Sequence, residues 1–236
     1  MKGCFVTGTD TEVGKTRVSA GLLAWLGQRG AVGAGYKPVA AGTERIEGVW
    51  VNADVRALRD AATLRASDAE VGPCQLREAC APHIAAMHEG RAIDPGVLIA
   101  GAQALAARAD RLVVEGVGGF CVPLAPGFDS ADLAVALGLP VVLVVGLRLG
   151  CLNHALLSAE AVRARGLALA GWVGNRIDPQ MMHAEDNLAT LRNELGRRHD
   201  APCLGVVPHL DAPHPAAVAA HLDGAALEAV FRPPWG

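Results

Sequence analysis

One stretch near the N-terminus decides the fold that we predict for this 236-residue chain: Gly8-Thr9-Asp10-Thr11-Glu12-Val13-Gly14-Lys15-Thr16. An apolar segment precedes it and a segment with helical periodicity follows it. A loop in this position turns backbone N–H groups toward an anion, and the helix dipole adds to the attraction. Gly14 permits close approach, Lys15 reaches the β- and γ-phosphates of a nucleotide, and Thr16 offers a hydroxyl to Mg²⁺. The stretch therefore predicts a nucleotide site.

The spacing of this loop differs by one residue from the standard pattern. That pattern requires glycine at position 9, where this chain has Thr9, and Gly8 makes the loop one residue longer. The competing interpretation is an ordinary strand–turn–helix junction that happens to contain Gly-Lys-Thr. Because a strand precedes the loop and a helix follows it, we favour the nucleotide site.

Outward from this loop, short apolar runs alternate with longer amphipathic segments. The runs predict strands at residues 3–7, 34–39, 112–115, 141–145, 169–175 and 203–207. The amphipathic segments predict helices at residues 15–29, 53–62, 96–109, 130–137, 153–165, 183–197 and 216–231. Strands that alternate with helices indicate a parallel sheet, and nearly continuous apolar strands indicate helices on both faces. We predict one domain, residues 1–236, with a doubly wound α/β fold around a mainly parallel sheet of about seven strands.

Charged residues follow several predicted strands, where ligands bind in such sheets. Glu115 can hold Mg²⁺, which proteins bind through one or two carboxylates and substrate phosphates, or it can be a solvated acid. Asp54 is a second candidate ligand, although a helix N-cap role is equally compatible with its position. Lys37 can neutralise charge on a transferring phosphoryl group, or it can be a surface lysine.

Composition limits the partners and the compartment that we expect. The chain has 21 Lys+Arg against 24 Asp+Glu, which argues against nucleic acid as the main partner. Its longest strongly apolar run, around residues 140–145, is far shorter than the ~20 residues that cross a bilayer, so we expect no membrane partner. No targeting stretch opens the sequence, and six scattered cysteines are typical of reduced thiols. We predict a cytoplasmic location.

Five short motifs occur in order between about residue 4 and residue 208. The first is the phosphate loop with Phe5-Val6-Thr7 before it. The others are Gly35-Tyr36-Lys37-Pro38-Val39, Val114-Glu115-Gly116-Val117-Gly118-Gly119, Leu149-Gly150-Cys151-Leu152-Asn153-His154-Ala155 and Gly171-Trp172-Val173-Gly174-Asn175. Together they resemble the motifs of the dethiobiotin synthetases, members of the P-loop NTPase superfamily. Five ordered motifs are far more specific than the phosphate loop alone.

The resemblance implies a homodimeric, ATP-dependent carbon–nitrogen ligase of biotin biosynthesis. Such enzymes make dethiobiotin from 7,8-diaminopelargonate, CO₂ and MgATP, and they release ADP and phosphate. One substrate amine captures CO₂ as a carbamate, the carbamate attacks the γ-phosphate to give a mixed anhydride, and the second amine closes the ureido ring. Because the bound species supply the nucleophiles, we expect the protein mainly to align them and to stabilise charge.

The resemblance also implies roles for individual residues. Lys15 and Lys37 are expected to stabilise the carbamate and the phosphoryl group, and Thr11 to orient the diamine and the carbamate. The implied Mg²⁺ ligands are Thr16, Asp54 and Glu115. The implied nucleotide contacts are Glu12, Val13, Gly14, Lys15, Thr16, Arg17, Asp54, Glu115, Gly116, Val117, Gly118, Asn175 (on adenine), Arg176, Pro208, His209 and Leu210. The implied diamine contacts are Thr11, Lys37, Ala41 and, across a subunit interface, Gly150, Cys151, Leu152 and Asn153.

Two positions depart from the family pattern. Ala41 stands where the family usually carries Ser or Thr, and Asp186 stands where it often has an aromatic residue. A single lost hydrogen bond typically costs only ~0.5–1.5 kcal/mol, so these departures concern details of substrate contact and not the reaction class. Trp172, on an apolar strand, is predicted to pack in the core and not to stack on adenine.

Three other classes of protein are compatible with the loop. A partitioning or septum-positioning ATPase would carry a second lysine five residues before the loop lysine, where this chain has Asp10. A cobyrinate- or cobyrate-amidating enzyme shares the loop but typically carries a further glutaminase domain, for which this chain is too short. The third class is a nucleotide-binding protein that has lost catalysis, against which the intact Lys15, Lys37, Asp54 and Glu115 argue.

Overall fold

The computed structural model describes residues 1–46 and 48–231. Its strands are β1 (Gly3–Gly8), β2 (Gly33–Tyr36), β3 (Val39–Ala41), β4 (Glu44–Ile46), β5 (Val49–Val51), β6 (Cys74–Leu76), β7 (Arg111–Glu115), β8 (Pro123–Ala125), β9 (Phe128–Asp129), β10 (Val141–Gly146), β11 (Leu169–Asn175) and β12 (Cys203–Val207). Its helices are α1 (Lys15–Gln28), α2 (Ala53–Ala61), α3 (Asp68–Val71), α4 (Pro82–His88), α5 (Pro95–Ala106), α6 (Ser130–Leu137), α7 (Cys151–Ala164), α8 (Ala184–His199), α9 (Pro215–Ala219) and α10 (Gly224–Phe231).

Six of these strands form the central sheet, in the order β12-β11-β10-β1-β7-β2. Every neighbouring pair in it is parallel. The predicted α/β fold is confirmed, but the central sheet of the described residues has six strands and not about seven. The other strands form three separate pairs, β3 with β6, β4 with β5 and β8 with β9. Each of the six predicted strands lies in the central sheet at least in part.

The strand predicted at residues 34–39 is shorter in the structure because the chain leaves the sheet at Lys37. Strand β2 ends at Tyr36, and the Lys37 N–H donates to the Val71 carbonyl at 2.7 Å, outside the central sheet. Pro38 follows and has no N–H to donate. Residues 39–41 then pair with β6 as the separate strand β3. Lys37 therefore lies just beyond the carboxyl end of β2, as predicted for a residue that neutralises charge on a phosphoryl group.

The helix predicted at residues 216–231 is two helices, α9 and α10. Between them, the Asp223 N–H donates to the Leu204 carbonyl, and the Asp223 carboxylate accepts from the N–H groups of Ala225 and Ala226 at 3.0 Å each. A side chain that accepts from the first N–H groups of a helix is an N-cap, so Asp223 starts a new helix. The break depends on a contact with β12 that periodicity does not reveal.

Alternate residues of the central strands pack into two separate cores. Phe5 and Leu143 contact the core that α5 to α8 cover. Val6 and Val144 contact the opposite core, which α1, α2, α9 and α10 cover. Because each strand buries both of its faces, apolar residues occupy both positions of the alternation. The doubly wound arrangement therefore explains the continuous apolar runs that predicted it.

The chain connections diverge at the middle of the sheet. Strand β1 leads through α1 to β2 on one side, whereas β10 leads through α7 to β11 on the other side. Since β1 and β10 are neighbours, their following loops separate and leave a crevice at the carboxyl edge. In open α/β sheets, ligands bind at such a topological switch point.

The cysteines and the helix lengths bear on the predicted compartment. All six cysteines are free thiols, and burial raises the pKa of the Cys4 thiol to about 12. Across residues 1–46 and 48–231, none of the helices combines the length and the apolar content that a bilayer crossing requires.

The first prediction concerns Trp172, which is fully buried in β11, as expected of a core residue. We expect Trp172→Phe to lower the free energy of unfolding by about 1–2 kcal/mol, because the smaller ring leaves a cavity, and to leave nucleotide affinity unchanged. Urea unfolding and calorimetric titration with MgADP measure the two quantities. Weaker MgADP binding without a loss of stability would instead indicate a stacking role.

Candidate active site

A cleft of about 1080 Å³ lies beyond the carboxyl ends of the central strands. Its walls come from the loops that follow β1, β7, β11 and β12, and from residues 79–82 in front of α4. The predicted site residues that line it are Thr11, Glu12, Gly14, Lys15, Thr16, Arg17, Lys37, Ala41, Asp54, Glu115, Val117, Gly118, Asn175 and His209. Residues far apart in sequence therefore meet in one cleft.

The phosphate loop is held in an unusual backbone conformation. Glu12 and Gly14 have φ of 60° and 89°, in the left-handed region that favours glycine. A Cβ atom on Gly14 would lie 2.1 Å from Nδ2 of Asn175, so no other residue fits at position 14 without displacing that amide. Gly14 also opens α1, and no side chain caps that helix. The first N–H groups of α1 are therefore available to an anion.

Lysine 37 forms the centre of a buried cluster of charges. Its Nζ atom lies 2.6 Å from Oε1 of Glu115 and 3.2 Å from Oδ2 of Asp54, and it donates to the Gly116 carbonyl at 3.1 Å. The Thr16 hydroxyl donates to the same Oε1 of Glu115 at 2.7 Å. Lys37 and Glu115 are almost completely buried. The cluster joins the ends of β2 and β7 to the phosphate loop.

The cluster fixes the charge states of its members. Burial alone would lower the pKa of Lys37, but the Glu115 and Asp54 carboxylates outweigh burial and raise the pKa above its ordinary 10.5. Burial would likewise raise the pKa of Asp54, but the Lys37 charge and the nearby Thr16 hydroxyl bring it below its ordinary 3.8. Burial and then the nearby Lys37 charge lower the pKa of Lys15 to about 8. Lys37 is therefore a fixed positive charge at neutral pH.

The second lysine of the cleft contacts its own loop. The Nζ atom of Lys15 donates to the Asp10 carbonyl at 2.9 Å. Only three residues of the whole chain are lysines, namely Lys2, Lys15 and Lys37, and the other basic residues are arginines. An ammonium is a compact point charge, whereas a guanidinium is a planar fork. Two of the three lysines thus lie where a compact charge can enter a crowded, buried site.

The predicted Mg²⁺ ligands are brought together, and they fit a cation. Oε2 of Glu115 is buried and has no hydrogen-bond partner among the described residues. A buried carboxylate oxygen normally accepts a hydrogen bond or binds an ion. The Thr16 hydroxyl and the Asp54 carboxylate lie on the same cluster. Two carboxylates and a hydroxyl suit Mg²⁺, whose other ligands are usually water and substrate phosphates.

Asn175 links the end of β11 to the phosphate loop. Its Nδ2 atom donates to the Val13 carbonyl at 2.9 Å, while its Oδ1 atom is buried without a partner among the described residues. The side chain also lines the cleft. An acceptor in this position suits a donor group on a bound base, such as an exocyclic amine.

Several predicted site residues do not line the cleft of their own chain. They are Val13, Gly116, Gly150, Cys151, Leu152, Asn153, Arg176, Pro208 and Leu210. Residues 150–153 open α7 with Gly150 at φ 95°, and the side chain of the preceding Leu149 is 95% exposed. Arg176 forms an ion pair with Glu185 instead. Asp186, at one of the two departures from the family pattern, is also exposed.

Sequence reasoning missed the wall formed by residues 79–82. These residues, which include Cys80, line the cleft together with Ala41. A Cβ atom on Gly42 would lie 3.1 Å from Cβ of Ala79, so the two segments are in close contact. Thr43 does not replace the hydroxyl that Ala41 lacks, because its own hydroxyl is buried outside this cleft. No motif marked the segment in the sequence.

Comparison with known proteins gives a family. A family model described as an AAA domain matches residues 2–216. The curated ATP-dependent dethiobiotin synthetase BioD of Aromatoleum aromaticum is 54% identical over 218 residues, which cover 92% of this chain and 95% of that protein.

Comparison with solved structures gives the fold. The cell division ATPase MinD of Pyrococcus furiosus is similar with a TM-score of 0.56 and 18% identity, over 98% of this chain and 96% of that one. The septum site-determining protein MinD of Pyrococcus horikoshii, solved with Mg-ADP, has a TM-score of 0.55 and 16% identity, over 96% of this chain and 88% of that one. At such identities the likeness is one of fold alone.

The second prediction concerns acid stability. Because the pKa of Asp54 lies below its ordinary 3.8 in the folded chain, its carboxylate stabilises the fold above that pH, and this contribution is lost as the pH falls through the folded pKa. We expect Asp54→Asn to lower the free energy of unfolding near neutral pH, and the curves of variant and wild type to converge in acid. Chemical denaturation over a pH series measures this.

A matched control for this series is Asp60→Asn, which alters a more exposed carboxylate on the same helix. Its curve should remain close to that of the wild type throughout. A stability difference for Asp54→Asn that stays constant from neutral to acid pH would contradict the assignment.

Proposed function

The chain belongs to the AAA-domain family and, within it, to the ATP-dependent dethiobiotin synthetases, and on this premise we propose that it converts 7,8-diaminopelargonate, CO₂ and ATP into dethiobiotin, ADP and phosphate. The observation that carries the proposal is the buried cluster of Lys37, Glu115, Asp54 and Thr16 beside the phosphate loop. This cluster places fixed charges where a phosphoryl group would be transferred, and it is built for electrostatic stabilisation.

We assign the triphosphate to the loop of residues 8–16. The uncapped N–H groups of α1 bind the phosphate oxygens, and Lys15 turns from the Asp10 carbonyl to the phosphates. With a pKa of about 8, Lys15 is mainly protonated at neutral pH, and a bound anion favours its charged form further. Glu12, Val13 and Arg17 complete this contact surface.

We assign Mg²⁺ to Thr16, Asp54 and Glu115. The unpartnered Oε2 of Glu115 supports this assignment, because a cation satisfies that buried oxygen. When bound, the metal offsets the charge of the phosphates and fixes their orientation. Gly116, Val117 and Gly118, which follow Glu115, bring backbone groups beside the same phosphates.

The adenine is assigned to the side of the cleft at the ends of β11 and β12. Oδ1 of Asn175 accepts from the 6-amino group, while Nδ2 of the same amide keeps its bond to the Val13 carbonyl. His209 lines the cleft on the same side, and we assign its neighbours Pro208 and Leu210, together with Arg176, to the surroundings of the base. The amide thus positions the phosphate loop and the base together.

Lys37 acts as a fixed positive charge during the chemistry. One substrate amine adds to CO₂ and loses a proton, which gives a carbamate. A carbamate oxygen attacks the γ-phosphorus and ADP leaves; the second amine then attacks the carbamoyl carbon and phosphate leaves as the ring closes. Negative charge passes over the phosphoryl oxygens in both later steps, and Lys37 stabilises it together with Lys15. Thr11, which also lines the cleft, orients the diamine and the carbamate.

We assign the apolar part of the diamine to the wall that includes residues 79–82, which the sequence did not predict. Ala41, residues 79–82, Val117 and Val122 line the cleft and present small apolar groups to a hydrocarbon chain. At Ala41 the hydroxyl usual in the family is absent, so this part of the site binds through apolar contact. That change affects affinity for the diamine more than the chemical step.

We propose a homodimer whose substrate carboxylate lies at the start of α7 of the second subunit. Residues 150–153 do not line the cleft of their own chain, and the helix start they form lacks a side-chain cap. An uncapped helix N-terminus binds carboxylates well. Leu149 and Leu157, on the same loop and helix, are exposed apolar residues that a second subunit would cover.

The proposed location is the cytoplasm. Six free thiols, two of them (Cys80 and Cys121) exposed, suit a reducing compartment. The likeness to MinD concerns the fold and does not favour a regulatory ATPase that acts with a protein partner. The cleft instead contains the lysines and carboxylates that we expect for the synthetase reaction, namely Lys15, Lys37, Asp54 and Glu115.

The third prediction tests the activity. Purified protein with MgATP, bicarbonate and the diamine should release phosphate and dethiobiotin in equal amounts, and Lys37→Ala should lower kcat by about 100-fold or more, because the transferring group loses its fixed charge. Lys15→Ala should be similarly impaired, and a chelator should stop the reaction. A phosphate assay and mass spectrometry of the product measure both outputs.

Lys2→Ala is the matched control, since Lys2 is the remaining lysine of the chain and is exposed. It should retain full activity. Hydrolysis of ATP at the same rate with and without the diamine would contradict the proposed reaction.

The fourth prediction tests the shared site. Lys37→Ala and Asn153→Ala alter parts of one composite site that come from different subunits, so each variant alone should be impaired. Co-expressed, they form mixed dimers with one unaltered site, and about a quarter of wild-type activity should return. Lys15→Ala with Lys37→Ala should recover nothing, because both lie in the same subunit's part. Absence of recovery in a verified mixed dimer would contradict the composite site.

A further inference from the structure

One side chain of the loop after β10 contacts the phosphate loop, and the proposed roles leave it unused. Nη2 of Arg148 donates to Oδ2 of Asp10 at 2.5 Å. Asp10 uses its other oxygens within its own loop: Oδ1 accepts from the Thr11 N–H at 2.8 Å, and the backbone carbonyl accepts from Lys15 at 2.9 Å. Arg148 therefore contacts the residue that holds together the first half of the phosphate loop.

The backbone of Arg148 contacts the other side of the switch point. Its carbonyl accepts from the N–H of Cys151 at 3.0 Å, and Cys151 is the first residue of α7. The preceding Leu147 N–H donates to the Asn175 carbonyl at 2.8 Å, which fixes the loop to β11. One residue is thus bound to the phosphate loop through its side chain and to the start of α7 through its backbone.

The ion pair between Arg148 and Asp10 contributes little to the free energy of folding, so its main effect is expected on ligand binding. The side chains of Arg148 and Asp10 are 43% and 47% exposed, and pairs this exposed are weak in water. The position of Asp10, however, is unfavourable for an anion site. Its carboxylate lies on the rim of a loop that binds phosphates, where an uncompensated negative charge repels the ligand.

We infer that Arg148 is a positioning residue for the nucleotide and the diamine: its guanidinium neutralises and orients Asp10, and its backbone holds the start of α7. The inference deepens the proposed function, because it takes residues 8–16 as the phosphate site and residues 150–153 as the carboxylate site. Arg148 itself touches neither ligand in this assignment. Its effect on binding passes through Asp10 and Cys151.

The experiment measures the dissociation constant of MgADP by calorimetry, independently of the chemical reaction. Arg148→Ala should raise this constant about three- to tenfold, because Asp10 is left uncompensated beside the phosphates. Adding Asp10→Asn to Arg148→Ala should return the constant to within about twofold of the wild type, a non-additivity expected only of groups that act through each other. Arg148→Lys, which keeps the charge, should lie close to the wild type.

The KM for the diamine is the second readout. Arg148→Ala should raise it, because the loop before α7 loses its side-chain attachment to the phosphate loop while only the backbone bond to Cys151 remains. Adding Asp10→Asn should not correct the KM, since it does not restore that attachment. If Arg148 only stabilised the fold, Arg148→Ala would lower the melting temperature and leave the MgADP dissociation constant and the KM unchanged. This division between the two constants supports a positioning role at both loops.

The matched control is Arg108→Ala. Arg108 and Glu70 form an ion pair with the same 2.5 Å separation and 45% exposure of both side chains, and neither residue lines the cleft. This variant should leave both constants unchanged. An unchanged MgADP constant in Arg148→Ala, or a double variant no better than Arg148→Ala, would overturn the inference. If the wild type binds MgADP but makes no dethiobiotin, the proposed function fails while the MgADP test of Arg148 stands.

Discussion

The buried ion pair between Lys37 and Glu115 is the interaction on which the rest of the cleft depends. Two charges removed from water are costly, and the cost is offset only when their geometry is good and further hydrogen bonds support them. The Lys37 ammonium has three donors, and Glu115, Asp54 and the Gly116 carbonyl supply three acceptors. Removing one partner of such a buried pair typically costs about 3–5 kcal/mol. The charges to which we assign the reaction are therefore also part of what holds the ends of β2 and β7 in place.

This constraint explains why a lysine occupies position 37 in a chain whose basic residues are almost all arginines. A guanidinium carries five donors in a planar fork, and the buried space beside Glu115 offers four acceptors, the three that Lys37 uses and the unpartnered Oε2 of Glu115. An arginine there would leave donors unsatisfied in the interior. Exposed positions such as Arg108 and Arg148 have no such restriction, because water satisfies the remaining donors. Burial and the number of acceptors thus separate the two residue types within one protein.

Much of this arrangement could be predicted from the sequence, for a physical reason. The apolar runs identified the central strands because both faces of the sheet are covered, and the carboxyl ends of parallel strands lie at one edge. That rule predicted that Thr16 and Glu115 meet, whereas Asp54 was placed with them by the family resemblance. The wall of residues 79–82, the new helix that starts at Asp223 and the contact of Arg148 with Asp10 were not predicted. Each depends on a tertiary contact that neither periodicity nor a motif reveals.

The balance of charge across the cleft supports the proposal that the nucleotide binds as its magnesium complex. Lys37 is shared between the carboxylates of Glu115 and Asp54, so this part of the cleft carries no surplus of positive charge. A free triphosphate placed beside it would meet two carboxylates, and at short range and partial burial such repulsion is strong. A divalent cation held by those carboxylates would supply the positive charge that bound phosphates need. At the other end of the loop, the carboxylate of Asp10 also lines the cleft to which we assign the phosphates, so it would repel them as well. There the compensating charge is an arginine from the loop after β10, so the two ends of one anion site are balanced by different means.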